Sequence, residues 1–342
     1  MAQYITFQPS DYFNTVAWTG TSSSPLNVTG YGFDPDMIWN KYRAGAGDHQ
    51  LYDAVRGATK MLIPNSTAVE STNANGVTAF ITDGFTAGSD INVNGGNSVA
   101  WGWRAGNSSG SSNSDGSLTS TVSVNTTAGF SIVTYSGTGA SSGTETVGHG
   151  LGAVPRVVMQ KRASGSAQNW HVYHASMGNG GVVMLNDTQA LNSQTDYWGN
   201  TTPTSSVVTI GPNNLSSGTN VMYCFAEKKG FSRFGSYTGN GNVDGAFVYT
   251  GFKPAVLIVK TYTTNGGWQI YDSKRNTSNP TSKFLVPSSN AAETSGSNNI
   301  DFLSNGFKTR TTANPGTTDT FMYMAFAEEP LVSSNDIPAT AR

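Results

Sequence analysis

Gly251-Phe252-Lys253-Pro254-Ala255-Val256-Leu257-Ile258-Val259-Lys260 decides the fold, because the chain carries it three times in diverged form. The other copies are Gly32-Phe33-Asp34-Pro35-Asp36-Met37-Ile38-Trp39-Asn40-Lys41 and Gly150-Leu151-Gly152-Ala153-Val154-Pro155-Arg156-Val157-Val158-Met159-Gln160-Lys161. Each is a glycine turn, a proline, a strand-length apolar run and a closing lysine. Internal repeats of this kind fix the architecture before any residue is read singly.

Working outward, a second block follows at nearly constant distance: Leu51-Tyr52-Asp53, Val172-Tyr173-His174 and Ile270-Tyr271-Asp272. The proline-to-tyrosine gaps are 17, 18 and 17 residues (35 to 52, 155 to 173, 254 to 271). A third block is Lys60-Met61-Leu62, Val183-Met184-Leu185 and Lys283-Phe284-Leu285. A fourth closes each copy: Val99 to Trp103, Val221 to Glu227 and Met322 to Glu328. Opening strands at Tyr12 to Gly20, Gly129 to Gly137 and Phe231 to Gly239 complete the pattern.

The apolar runs are short and bounded by Gly, Asn-Gly or Asp-Gly, as at Asp83-Gly84, Asn240-Gly241 and Asn305-Gly306. Such dipeptides suit the positive-φ turns between strands. No amphipathic helical period is present. The sequence therefore predicts an all-β chain of three tandem β-sandwich-like repeats of about 95 residues, roughly seven strands each. The expected domains are 1–104, 129–229 and 230–330, with a Gly/Ser/Asn/Thr-rich linker at 105–128 and an extended tail at 331–342. The linker's first part reads as flexible, and Leu118 to Thr126 alternates like a strand. Lys228-Lys229-Gly230 alone joins the second and third copies. The expectation is a separately placed first unit followed by a rigid pair.

Composition narrows function. The 342 residues carry 12% charged and 11% aromatic residues and a formal net charge of −2. No Lys/Arg stripe suggests nucleic acid, and no run of 18 apolar residues suggests a membrane span. Met1-Ala2-Gln3-Tyr4 lacks the features of a Sec-type signal. The single cysteine, Cys224, reads as a small buried residue in a strand.

Catalytic and metal patterns are sparse. Gly139-Ala140-Ser141-Ser142-Gly143 fits G-x-S-x-G but has no helix after it, as a nucleophile elbow requires. His149, His171 and His174 have no Cys pair or HExxH pattern beside them, so they read as polar surface or turn histidines. The carboxylates Asp34, Asp36, Asp53, Glu70, Asp83, Asp272, Glu293 and Asp301 are the candidates for paired acid–base work. Asp53 recurs as Asp272 and Glu70 as Glu293, and recurrence in separate copies points to a structural role. Tyr52, Asp53 and Arg56 match Tyr271, Asp272 and Arg275, which predicts an Asp–Arg turn clamp. The second copy departs, with His174 and Met177 in those places. For ligand contact, Trp198 and Tyr197 in Asp196-Tyr197-Trp198-Gly199-Asn200 are the loop candidates, Trp170 and Trp268 being candidates for the core.

With these motifs in hand, the chain resembles a family of marine bacteriophage virion proteins that carry tandem copies of an uncharacterised β-rich domain. The matching residues include Gly32 to Asp36 with Lys41, Leu51 to Lys60, Thr82 to Phe85, Phe231 to Gly241, Phe326 to Glu328 and the ending Ile337 to Arg342. The resemblance implies a non-enzymatic virion protein, made in the bacterial cytoplasm, without cofactor or metal. It would be a tail-fibre or tail-tip component contacting the host surface, or else a capsid decoration or head-fibre protein; a polysaccharide depolymerase is the third possibility. The partners implied are copies of itself, in a homo-oligomer such as a trimer, other virion proteins and a host-surface glycan.

Overall fold

Runs of five to eight apolar residues between glycine turns are too short for helices and suit strands. A computed structural model describes residues 7–21, 23–296 and 300–330. Among these there is no α-helix, only 3₁₀ turns at Pro9–Asp11, Thr195–Tyr197 and Pro212–Asn214. The tail expected at 331–342 lies outside the described residues.

The first unit contains β1 (Phe13–Thr19), β2 (Leu26–Thr29), β3 (Met37–Tyr42), β4 (Gln50–Asp53), β5 (Lys60–Met61), β6 (Ser71–Thr72), β7 (Val77–Ile81), β8 (Gly84–Ala87) and β9 (Asn97–Trp103). Two strands follow, β10 (Ser111–Asn113) and β11 (Ser120–Asn125). The second unit holds β12 (Phe130–Gly137), β13 (Glu145–Gly148), β14 (Val157–Arg162), β15 (His171–His174), β16 (Val183–Met184), β17 (Val207–Ile210) and β18 (Gly218–Phe225). The third holds β19 (Ser232–Thr238), β20 (Phe247–Tyr249), β21 (Phe252–Thr261), β22 (Gln269–Asp272), β23 (Ile300–Leu303), β24 (Gly306–Thr309) and β25 (Thr320–Pro330).

One antiparallel strand order recurs: β1-β9-β3-β4, β12-β18-β14-β15 and β19-β25-β21-β22. Smaller sheets, β2-β8-β7, β13-β17 and β20-β24-β23, lie against one face of each. Asp83 shows how a turn serves this arrangement. It sits at φ +63° between β7 and β8, and its carboxylate accepts the backbone N–H groups of Gly30 and Gly32. That ties the hairpin to the end of β2.

The side-chain period of two sends alternate residues of each main sheet to opposite faces. In β9, Ala100 joins the sandwich core of the first unit, while Val99, Trp101 and Trp103 face the other way. In β18 the split is Met222 and Cys224 against Val221, Tyr223 and Phe225; in β25 it is Phe321, Tyr323 and Ala325 against Met322, Met324 and Phe326. The second faces of all three sheets form a single shared core. At its centre the closing-block residues Trp103, Phe225 and Phe326 touch pairwise, with ring centroids 6.4, 5.6 and 5.8 Å apart. The units thus surround a pseudo-threefold axis, and strands buried on both faces read as continuous apolar runs.

Two expectations are corrected here. The first unit is not separately placed: its face is one third of the shared core. Residues 105–128 are not a flexible linker either. β10 and β11 extend the second unit's sheet in the order β10-β11-β12. Asp36 Oδ2 accepts the N–H groups of Ala105 and Asn107, at 2.7 and 3.0 Å, and Leu118 N–H donates to Thr146 O. A Ser/Thr-rich segment suffices at a sheet edge, where backbone hydrogen bonds and a few inward residues such as Val122 do the fixing.

Candidate binding cleft and the seams that frame it

The Asp–Arg turns lie at the seams. Asp53 Oδ1 accepts the N–H groups of Val55 and Arg56, capping the turn after β4. Its Oδ2 meets Arg56 Nε at 2.6 Å and accepts the Tyr223 hydroxyl of the second unit at 2.6 Å. Arg56 continues to Glu70 at 3.0 Å. In the third unit Asp272 caps Lys274 and Arg275 and pairs with Arg275 Nε at 2.5 Å. Here Trp101 of the first unit donates its indole N–H to Asp272, and its ring lies 5.5 Å from the Arg275 guanidinium. Arg275 also reaches Glu293, which takes a two-pronged contact from Arg43 of the first unit.

The second unit does the same work with one residue. His174 Nδ1 accepts the Ser176 N–H, and Nε2 donates to Tyr323 O of the third unit at 3.1 Å. Each turn therefore grips the last strand of the next unit, first to second, second to third, third to first. Residues three before the repeated tyrosine grip in the opposite direction. Trp170 donates to Ile63 O, Trp268 to Met184 O, and His49 Nε2 pairs with Val286 O.

Reciprocal backbone bonds close every seam: Glu70 N to Ala163 O with Gln168 N to Thr67 O, Leu191 N to Tyr262 O with Gly266 N to Thr188 O, and Glu293 N to Arg43 O with Gly47 N to Asn290 O. The repeated lysines sit beneath these bonds. Lys161 Nζ donates to Thr67 O and Gln168 O, and Lys260 Nζ to Thr188 O, Gln189 O and Gly266 O. Burial lowers the Lys161 ammonium to about 7 and that of Lys260 to about 8. Carbonyl cages of this kind oppose the desolvation by hydrogen-bonding the charged form.

Above the first–second seam opens a cleft of about 480 Å³ lined by Thr67, Gln168, Asn169, His171, Gln194, Tyr197 and Asn213 among others. Tyr197, 9% exposed, stands edge-on to His171 with centroids 4.7 Å apart. His171 Nδ1 is hydrogen-bonded to Asn214 Oδ1, and burial pushes the imidazole down to about 4, so it is neutral at neutral pH.

Trp198, expected on an exposed loop, is instead 1% exposed and packs against Tyr173 at 5.9 Å in the second unit's core. Adjacent residues of the 3₁₀ turn face different ways, so Tyr197 reaches the cleft while Trp198 turns inward. The histidines expected at the surface are also buried: His149, His171 and His174 are all within 3% exposure, each with a hydrogen-bond partner in the chain. Trp170 and Trp268 lie in the shared core.

The carboxylates are spent on structure. Asp53, Glu70, Asp272 and Glu293 are in the clamps, Asp34 accepts the Asp83 N–H, and Asp301 lies 3.4 Å from Arg310. Among the described residues no group of three or more His, Cys, Asp or Glu could hold a metal ion. Cys224 is buried, and desolvation pushes its thiol up to about 12. The amides of Gln168, Asn169, Gln194 and Asn213 were not singled out from sequence. They come from separate loops, and no local pattern joins them.

A protein-family profile described as a domain of unknown function (DUF7483) matches residues 8–330. The chain belongs to this family. The DUF7483 match runs from the first 3₁₀ turn to the end of β25, so it takes in all three units, the segment 105–128 and both walls of the cleft. No curated protein and no solved structure matches the chain.

Proposed function

We propose that this chain is a non-enzymatic structural protein of a bacteriophage virion, a tail-fibre or tail-tip component that meets the host surface. The observation that carries the reading is ring closure: every seam is pinned by reciprocal backbone bonds and a buried side-chain grip. A body of that kind suits a load-bearing, protease-exposed building block better than an enzyme that must open and close. The recurring carboxylates Asp53, Glu70, Asp272 and Glu293 are held inside the clamps.

Self-association belongs to the same proposal. Among the described residues, three of the five exposed large hydrophobic ones, Val243, Phe247 and Tyr249, fall on or beside the edge strand β20. A second copy is the occupant proposed for that edge. Sedimentation equilibrium of the full chain and of a Phe247→Ser/Tyr249→Ser variant tests it; equal masses would remove this face from the proposal.

Immunogold labelling of purified virions with an antibody to the chain tests the main reading. Label at the tail supports host contact. Label over the head moves the protein to capsid decoration, and unlabelled particles overturn the virion assignment. Release of oligosaccharides from a host polysaccharide would overturn the non-enzymatic part.

A further inference from the structure

The cleft above the first–second seam has features that ring closure does not need. Its walls include the 3₁₀ turns Thr195–Tyr197 and Pro212–Asn214, which lie between β16 and β17 and between β17 and β18; among the described residues the first and third units have no 3₁₀ turn at the corresponding places. The position of His171 is held by Gln50 and Gln269 in the other units, where the hydroxyls of Tyr52 and Tyr271 donate to them at 2.7 and 2.9 Å. In the second unit Tyr173 makes no such bond; His171 turns to Asn214 and supports the Tyr197 ring instead.

The chemistry of the lining is specific in kind. Gln168, Asn169, Gln194 and Asn213 present amides or their backbone carbonyls, and Thr67 adds a hydroxyl-bearing residue. Among the described residues no carboxylate lines the cleft, His171 is neutral at neutral pH, and the nearby Lys161 ammonium is turned onto the carbonyls of Thr67 and Gln168. Gln168 Nε2 donates to Asn213 O at 2.6 Å, which fixes the amide, since its oxygen could not face another carbonyl. The Gln168 Oε1 is closed off from solvent and finds no donor among the described residues, so this amide serves the wall of the cleft and not its open side.

We propose that this cleft binds one or two pyranose residues of a neutral glycan. Sugar hydroxyls both donate and accept, as do the amides that line the cleft. The small exposed part of Tyr197 lies in the cleft wall, where it meets an edge of the sugar. The volume falls within the range of about 300–1,000 Å³ typical of small-ligand sites. The inference deepens the host-surface reading by naming the ligand class, and it rests on that reading only for its biological setting.

The test is a titration of the full chain with glucose, galactose, mannose, N-acetylglucosamine, maltose and lactose, followed by saturation-transfer NMR. Glucuronic acid and sialic acid serve as charged controls. Saturable binding of at least one neutral sugar with Kd of about 0.1–10 mM is expected. It should weaken about tenfold in Tyr197→Ala and about threefold in Gln194→Ala. Gln194 is exposed, so that variant should keep the wild-type melting temperature and separates lost binding from lost folding. No saturation transfer from any neutral sugar, binding unchanged in both variants, or tighter binding of the charged sugars would each overturn the proposal. Tail label without sugar binding would sink the cleft and leave the virion reading standing; sugar binding without label would do the reverse.

Discussion

The first–second and second–third seams solve one geometric problem with different chemistry. At the first, Asp53 and Arg56 form a buried ion pair that captures the Tyr223 hydroxyl. At the second, a neutral His174 caps its own turn and donates across to Tyr323 O. Both seams keep the same reciprocal backbone bonds. The difference teaches that the backbone contacts and the shared core set the seam, and that the side-chain grip can be exchanged provided no buried polar group is left alone. A buried ion pair contributes little net stability over a well-packed apolar pair, but losing one partner is costly.

That comparison can be broken most sharply at the third–first seam. Arg275→Ala leaves Asp272 and part of Glu293 buried without their cation, and an unfolding free-energy loss of about 3–5 kcal/mol is expected in urea titration. A loss under 1 kcal/mol would show that the clamps are dispensable. Acid should come next. Burial holds His171 and His174 down at about 4, and His49 well below its usual value. The unfolded chain takes up these protons near pH 6.5, so the stability is complete above that pH and is lost as pH falls from 6.5 toward 4. The loss approaches about 3 kcal/mol for each of His171 and His174. Asp36 works in the opposite direction. Burial raises it to about 6, so its protonation favours the folded state between pH 6 and 3.8 and offsets part of the loss. Urea midpoints at pH 7, 5.5 and 4.5 measure the balance, and a flat profile would contradict the neutral-histidine seams.

His174→Ala strips the Ser176 N–H and the Tyr323 carbonyl of a partner and should cost about 1–3 kcal/mol. It should also flatten the acid response, which a purely charged seam would not show. Tyr223→Phe is expected to be the mildest change, about 1–2 kcal/mol, because Asp53 keeps Arg56 and its turn N–H groups. If it cost as much as Arg275→Ala, the hydroxyl and not the ion pair would be the grip at the first–second seam.

Much of the architecture was legible because the repeat is written in residues with narrow conformational or packing roles. The glycine–proline entry to β3, β14 and β21 and the Tyr-Asp pairs at β4 and β22 mark equivalent places directly. Asp53, Arg56, Asp272 and Arg275 could be grouped because they recur at equal spacing. What the spacing could not give was the partner across the seam, since Tyr223 and Trp101 lie more than 160 residues from the carboxylates they touch. The double-faced burial of β9, β18 and β25 was written in the alternation of Trp101 and Trp103 with Ala100 and Gly102. A sandwich with one wet face would not need two tryptophans on its outer side. Trp198 was misplaced because a 3₁₀ turn separates neighbours by a large rotation that composition does not reveal. The cleft was invisible for a simpler reason: Gln168, Gln194 and Asn213 come from separate loops of the second unit, and Thr67 joins them only when the first unit docks.

The contact among Trp103, Phe225 and Phe326 also sets a timetable. Trp103 leaves the ribosome 223 residues before Phe326, a delay of roughly 10–45 s at synthesis rates of about 5–20 residues per second. The first unit can complete its sandwich at the start of that interval and the second about halfway through it, yet each must carry its axial aromatic face without a third neighbour. The nascent chain is therefore most vulnerable to aggregation just before its last strand emerges, and a stall or truncation shortly upstream of Phe326 would do more harm than one after the first unit.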